Sequence, residues 1–312
     1  MSQAGTHTPV LTRAVVDLLG VEPGDVVVDA TVGLGGHARL LATAAGPDGV
    51  LLGLDVDADN LAQAAAHLTD APGSVVLRRY NFAKLPEAVE EAGLGTVDVI
   101  LADLGVSSSQ LGRADRGFSF SVDGPLDMRM DDRLAASAAD LVNRLSESDL
   151  ADLIYQYGQE RHSRRIARRI CAVRREGRIT RTARLSEAVC SALRVNPASR
   201  ASRIHPATRT FQALRIAVNG ELDALDGLLA CAPSCLGTGG RIGVISFHSL
   251  EDGRVKRAFR EGKRAGVYEI LTKKPVVADL EERHANPRSR SAKLRVARRT
   301  DRGFAPDRQE EG

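Results

Sequence analysis

The stretch DATVGLGGHA (29–38) sets three backbone-permissive residues, Gly33, Gly35 and Gly36, between an acid, Asp29, and an imidazole, His37. Glycines after a strand let main-chain N–H groups close on a ligand at a helix N-terminus, where negative charge is favoured. Gly33, Gly35 and Ala38 fit the dinucleotide fingerprint G-x-G-x-x-A. Asp55, 22 residues beyond Gly33, stands where a carboxylate accepts from both hydroxyls of a ribose. A pyrophosphate and the carboxylate of a methionine moiety suit such a loop equally, and NAD and S-adenosylmethionine share the ribose. Two acids separate these ligands. Asp29 can accept from an ammonium, which the methionine moiety carries and NAD lacks. Asp103, closing VDVILAD (97–103), offers a second carboxylate to an amine or to an adenine amino group. The pair favours S-adenosylmethionine.

Regular elements must bring these groups together. HTPVLTRAVVDLLG predicts a helix with Thr8 as N-cap, Pro9 at its first position, an apolar stripe through Val10, Leu11, Ala14, Val15 and Leu18, and Gly20 at its end. DVVVDA (25–30) reads as a buried strand, with a helix opening near Gly36. VLLGLD (50–55) reads as a second strand, followed by an Ala-rich helix over 58–69. SVVLRR (74–79) and VDVILAD add further strands. Strands alternating with helices predict a doubly wound, mostly parallel α/β sheet that binds ligands at its carboxyl edge.

After Gln110 the pattern changes. RGFSFSVDGPLDMRMDD (116–132) reads as a long loop. Helical patterns then run to about residue 231, with Ser146 and Asp149 capping one helix and Thr182 another. RIGVISFHSLEDGRVKRAF (241–259) restores strand, turn and helix, and NPRSRSAKLRVARR (286–299) reads as a basic loop entering a strand. The expected organisation is a discontinuous domain, 1–111 with 216–312, carrying an inserted helical, Arg-rich substrate-recognition domain at 112–215.

Of the 312 residues 43% are apolar, enough for a sizeable core, yet no apolar run reaches the ~18–20 residues of a membrane span. The opening MSQAGTHTPV lacks the basic and apolar regions of a signal peptide, so a cytoplasmic protein without membrane contact is expected. Cys171, Cys190, Cys231 and Cys235 show no zinc-site spacing with one another or with the histidines, which predicts reduced, structural thiols and no bound metal. The net charge of +3 hides an asymmetry: residues 161–215 hold 15 arginines against Glu176 and Glu187, and residues 283–302 hold seven arginines and Lys293 against Asp301. Clustered cations on an otherwise acidic chain point to a polyanionic partner, because they release counterions from phosphates.

DATVGLGGHA, LGVSSSQL, RGFSF…GPLDMRMD, RTFQALRIAVNGEL, ISFHSLED and NPRSRSAKLR occur in this order. Together, from His7 to about Arg299, they resemble the bacterial small-subunit rRNA (cytosine-N4)-methyltransferases, the RsmH or MraW family. The resemblance implies a Rossmann-like class I S-adenosylmethionine-dependent methyltransferase. It implies S-adenosyl-L-methionine as methyl donor and the 16S rRNA of the small ribosomal subunit, in its decoding region, as substrate and partner. Gly35, Gly36 and His37 would join Gly33 around the cofactor, with Asp55 on the ribose and Phe82, Asp103 and Gln110 lining the adenine and methionine sides. The oligomeric state stays open, a homodimer included.

The N4 amine of cytosine is a weak nucleophile because its lone pair is delocalised into the ring. Holding it in line with a sulfonium methyl lowers the barrier, and an acceptor aimed at its N–H stabilises charge developing on nitrogen. Asp103-Leu104-Gly105 stands where DNA amino-methyltransferases carry an (Asp/Asn/Ser)-Pro-Pro-aromatic motif, whose absence disfavours a DNA substrate. Asp103, Ser107, Ser108, Asp127 and His248 are the candidate acceptors, His248 orienting the base or taking the released proton. Glu251 and Asp252 are expected to cap or charge the first turn of the next helix.

Arg161, Arg164, Arg165, Arg168 and Arg169 recur at i, i+3, i+4, i+7 and i+8, with Ile166, Ile170 and Val173 opposite. Arg164, Arg168 and Arg169, with Arg288, Arg290 and Lys293 of the second basic stretch, are the expected phosphate contacts, and the insert is expected to guide an extruded cytidine. With 4% aromatics and no Trp, extensive base stacking is not expected. An NAD(P)-linked oxidoreductase, a non-catalytic RNA-binding or ribosome-assembly protein and a DNA amino-methyltransferase remain the alternatives. Replacing Arg164, Arg168 and Arg169 together with Ala should weaken RNA binding and lower the slope of log affinity against log salt by about 2 in a binding titration, with methyl-donor affinity unchanged.

Overall fold

The computed structural model describes residues 8–195 and 205–301. The chain divides into two compact units, Met1–Gly105 with Leu222–Gly312, and Val106–Glu221, the second a little wider than the 112–215 expected from sequence. In the first unit the chain runs α1 (Thr12–Leu19), β1 (Val26–Asp29), α2 (Gly36–Ala45), β2 (Val50–Leu54), α3 (Ala58–His67), β3 (Ser74–Arg78), α4 (Leu85–Glu91) and β4 (Val97–Asp103). The second unit contributes α5 (Ser108–Gly112), α6 (Ala138–Arg144), α7 (Glu147–Gly158), α8 (Ser163–Glu176), α9 (Thr182–Leu193) and α10 (Thr208–Asn219). The first unit resumes along α11 (Glu221–Cys235), then β5 (Leu236–Ser246), α12 (Ser249–Arg264), β6 (Tyr268–Ile270), α13 (Leu280–Ala285) and β7 (Lys293–Arg299).

The seven strands form one sheet in the order β3-β2-β1-β4-β5-β7-β6. β3, β2, β1, β4 and β5 are parallel, whereas β7 runs antiparallel to both β5 and β6. Strand alternation divides the apolar runs between two cores. Val27, Leu51, Val99 and Leu101 face a cluster shared with α1, α2 and α3. Val28, Leu52, Ile100 and Ala102 face a cluster shared with α4, α11 and α12. Burial on both faces is why these strands read as continuous apolar runs rather than as alternating ones. From β1 the strand order proceeds both ways, so the carboxyl ends of β1 and β4, Asp29 and Asp103, meet at the switch point where such sheets bind ligands.

The N-terminal helix starts later than its sequence signals predict. α1 begins at Thr12 behind Leu11, which takes a left-handed conformation at φ 52°. Thr8 and Pro9 therefore lie outside it. The cause is tertiary: the Leu11 N–H donates to Glu282 Oε1 at 2.6 Å, and the Val10 carbonyl accepts from His37. Gly20 closes the helix as expected, in a left-handed conformation.

The second unit has its own core, in which Leu126 and Met128 of the 116–132 loop are fully buried beside Ile154, Ile166, Ile170 and Leu214. Backbone bonds hold this loop without regular structure: Leu126 N–H donates to the Thr180 carbonyl, and Ala138 N–H to that of Asp127. Asn219, at the end of α10, accepts from Met130 N–H and donates to the Met128 carbonyl. Ser146 caps α7 by accepting from Asp149 N–H. Thr182 is no cap; it is the first residue of α9, and its hydroxyl accepts from the buried Gly124 N–H at 3.0 Å. Thr182→Val should therefore cost about 1–3 kcal/mol in urea unfolding by stranding that N–H, whereas Thr182→Ser, which keeps the acceptor, should cost clearly less.

Candidate functional site

The loop after β1 is sewn to its neighbours. Ala30 N–H donates to the Leu101 carbonyl of β4, and Val32 N–H to the Leu54 carbonyl of β2. Gly33 and Gly35 then adopt φ of 51° and 87°, where a side chain is strained. Gly36 serves another purpose: a Cβ there would come within 3.2 Å of the Pro9 ring, so its bareness admits the N-terminal segment. No side chain caps α2, whose N-cap is Gly35. The first N–H groups of that helix thus lack intrahelical acceptors, at the end of the helix that favours negative charge.

Four ionisable groups surround this helix end. Asp29 is buried; its Oδ1 accepts from Thr31 N–H, and burial, opposed by His37, lifts its pKa from 3.8 to about 6, with Asp103 and Asp55 adding to the rise. Asp55 accepts from Gly33 N–H and Asn60 Nδ2 on one oxygen and from Asp57 N–H on the other, yet burial still lifts it to about 6. His37 Nε2 lies 2.8 Å from the Val10 carbonyl, which can only accept, so that nitrogen carries hydrogen. Its Nδ1 lies 3.4 Å from Asp103 Oδ2. Burial alone would lower the imidazole pKa, but Asp103, with Asp29 behind it, outweighs burial and raises it.

Asp103 is held from two sides. Its N–H donates to Thr31 Oγ1 at 2.6 Å, and His37 faces its Oδ2. Its Oδ1 is buried and has no hydrogen-bond partner among the described residues. A carboxylate oxygen left so is costly unless something outside the chain supplies a donor. Arg288 is half-buried, and it feels Asp103: burial pulls the guanidinium pKa below its ordinary value, and the Asp103 charge works against that. Phe82 opens a 3₁₀ turn capped by Asn81 and packs, half-buried, against the core.

Other expected contacts have structural employment. His248 is the N-cap of α12: its Nδ1 accepts from Glu251 N–H, while Glu251 Oε2 accepts from Phe247 and His248 N–H. Its Nε2 lies 3.0 Å from Glu251 Oε1. The capping box bears out Glu251 as a cap of this helix, while the buried His248 Nε2 makes no hydrogen bond among the described residues. Asp252 pairs with Arg295 at 2.7 Å and with Lys293 at 3.6 Å, so Lys293 is tied to the protein. Arg290 is exposed on the 3₁₀ turn Pro287–Ser291.

In the second unit, Ser107 and Gln110 form the capping box that opens α5. The Ser108 side chain lies outside the described residues. Asp127 holds Arg129 through both oxygens at 2.7 and 2.8 Å. Burial would raise its pKa, but the hydrogen bonds and charge of Arg129 outweigh burial and lower it. Arg164, Arg168 and Arg169 are exposed on α8, with Ile166 and Ile170 buried opposite, as the spacing predicts. Arg168 lies 3.5 Å from Glu147 and Arg164 4.0 Å from Asp152, surface pairs worth little stability. Much of the basic run at 199–209 lies outside the described residues. Free cysteines fit the expectation of reduced thiols, and among the described residues no helix is long and apolar enough to cross a membrane.

Sequence reasoning missed Thr31 and the Val10 carbonyl, and read Arg288 only as a phosphate contact. Thr31 carries a weak signal, a lone hydroxyl between a strand and glycines. The other two depend on distant chain segments.

The family model described as the MraW methylase family matches residues 4–300. A curated relative from Acidobacterium capsulatum, named ribosomal RNA small subunit methyltransferase H, is 48% identical over 93% of this chain and 97% of its own. One of the same name from Cyanothece sp. is 50% identical, with 95% of each chain covered.

The raised carboxyls make the site costly at neutral pH. With a folded pKa of about 6 against 3.8, Asp29 binds more protons folded than unfolded between those values. Its contribution to stability therefore falls as pH rises from about 4 to about 6 and stays lost above, a total on the order of 3 kcal/mol. Asp29→Asn should gain stability over the native protein across that window in urea unfolding at stepped pH; a constant difference would refute the assignment.

Proposed function

From a chain that belongs to the MraW methylase family, we propose S-adenosylmethionine-dependent methylation of the exocyclic N4 amine of a cytidine in 16S rRNA of the small ribosomal subunit. The observation that carries this is the buried, unpartnered Oδ1 of Asp103 beside the uncapped start of α2. One charge-bearing ligand with both a carboxylate and an ammonium meets both needs.

The methyl donor fits the residues present. The loop Gly33–Gly36 and the first turn of α2 would receive its carboxylate, with His37 at the head of that turn. Asp55, fixed by Gly33, Asp57 and Asn60, would accept from the ribose, and Asp29 and Asp103 supply negative charge to its ammonium. The neutral aromatic face of Phe82 would lie against adenine. When bound, the donor supplies an electrophilic methyl on sulfur.

The chain's own part is to fix an acceptor and keep water away. Asp103 would accept from an N–H beside it through Oδ1, with His37 Nδ1 facing its Oδ2. Thr31 holds its main chain, so the acceptor does not have to be reoriented as charge develops on the attacking nitrogen. Arg288, half-buried and electrostatically coupled to Asp103, would meet an RNA phosphate. The exposed arginines of α8 and Arg290 extend phosphate contact. Cytoplasmic location follows from a ribosomal substrate.

With isotope-labelled S-adenosylmethionine and small subunits, naked rRNA or DNA, digestion should return label in N4-methylcytidine from the ribosomal RNA. Label on DNA alone, or on no nucleoside, would overturn the assignment in favour of a DNA enzyme or an assembly factor. Asp103→Asn, nearly isosteric but uncharged, should lower turnover roughly 10²-fold or more with the fold intact.

A further inference from the structure

The catalytic unit carries a second concentration of positive charge that the blocks at 161–215 and 283–302 do not include. α12 presents Lys256, Arg260, Lys263 and Arg264 at i, i+4, i+7 and i+8, one face of the helix, all exposed. This face borders a cleft of about 590 Å³ between α12, the end of β6 and β7. Lys273, from the segment after β6, faces the same cleft, and Phe259 and Ile270 form its apolar floor. None of the five cations has an ion-pair partner among the described residues, in contrast to Arg295 in the cleft wall, which is held by Asp252.

Helix electrostatics explains only part of this. Lys263 and Arg264 lie in the last turn of α12, where cations offset the helix dipole. Lys256 and Arg260 lie in mid-helix, and Lys273 belongs to another element, so their convergence has no such cause. Five unpaired cations around one concavity repel one another, and an anion relieves that repulsion. The row from residue 256 to 264 is roughly 12 Å long, too long for one phosphate and suited to several in a chain. A membrane-binding face would add exposed apolar side chains to the charge. The exposed large apolar residues, Val16, Leu111, Val122, Tyr155, Val277 and Leu280, do not line this cleft.

We propose that the α12 cleft is a docking site for the sugar-phosphate backbone of the substrate RNA, reading charge rather than sequence, on the catalytic unit itself. The proposal rests on the reading of the protein as an rRNA methyltransferase and adds a surface to the arginine face of α8 and to Arg288 and Arg290. Affinity for the subunit is then shared between the two units, and the α12 contribution belongs to substrate binding and not to the chemical step.

The test is the triple variant Lys256→Gln, Arg260→Gln, Lys263→Gln in the full-length protein, all exposed positions remote from the core. Binding to small ribosomal subunits is titrated between about 50 and 200 mM salt, alongside methyl-donor binding and turnover at saturating subunit. The expected result is at least tenfold weaker subunit binding at low salt and a salt slope smaller by about 2, with donor affinity and kcat unchanged. Unchanged affinity and slope, in a protein whose native form binds and methylates the subunit, would overturn this site alone. A native protein that binds no RNA would overturn the methyltransferase reading and this site with it. Tighter native binding to phosphatidylserine vesicles than to subunits, lost in the variant, would assign the cleft to a membrane and overturn the proposal.

Discussion

Three buried or half-buried carboxylates gathered at the carboxyl edge of one sheet are the constraint on which the rest of the catalytic unit depends. Asp29 and Asp103 end adjacent strands, Asp55 follows the end of β2, and burial pushes Asp29 and Asp55 toward the neutral form. Each is stable only because a donor is brought to it. Thr31 and Gly33 supply main-chain N–H groups, Asn60 an amide, and the His37 ring stands 3.4 Å from Asp103. These donors in turn dictate the loop path, the left-handed glycines and the displaced start of α1, whose preceding carbonyl holds the His37 ring. One acceptor, Asp103 Oδ1, is left for a ligand.

The inserted unit follows a different logic. Its GPLDMRMD segment lacks regular structure, yet Leu126 and Met128 are as buried as any helix residue. Asn219 satisfies the backbone at Met128 and Met130, and Thr182 does so at Gly124. Two of the sequence blocks behind the family resemblance, RGFSF…GPLDMRMD and RTFQALRIAVNGEL, are thus linked by hydrogen bonds within one unit. Much of what looked like chemistry in them is the fastening of a loop.

The strand–helix alternation, the switch point and the gathering of Asp29, Asp55 and the glycines at the sheet's carboxyl edge were legible because each rests on local spacing. The Arg face of α8 was legible for the same reason. Thr8 as N-cap failed because Glu282 and His37, far along the chain, claim the backbone around Leu11. The ties of His248 to Glu251 and of Asp127 to Arg129 were not legible, because a charged residue in a motif looks the same whether it meets a ligand or a neighbour two or three residues away. Thr182 failed by the same rule in reverse, its hydroxyl being claimed by a distant N–H. The α12 cleft escaped because its cations come from two elements and are diluted by Glu251, Asp252, Glu261 and Glu269 in any count along the chain.

The measurement that bears most directly on the central claim is a crystal structure of the protein with S-adenosylhomocysteine. The account predicts a ligand N–H within about 2.7–3.2 Å of Asp103 Oδ1, and the ligand carboxylate on the first N–H groups of α2. A ligand bound elsewhere, or one that leaves Asp103 Oδ1 without a donor, would contradict it.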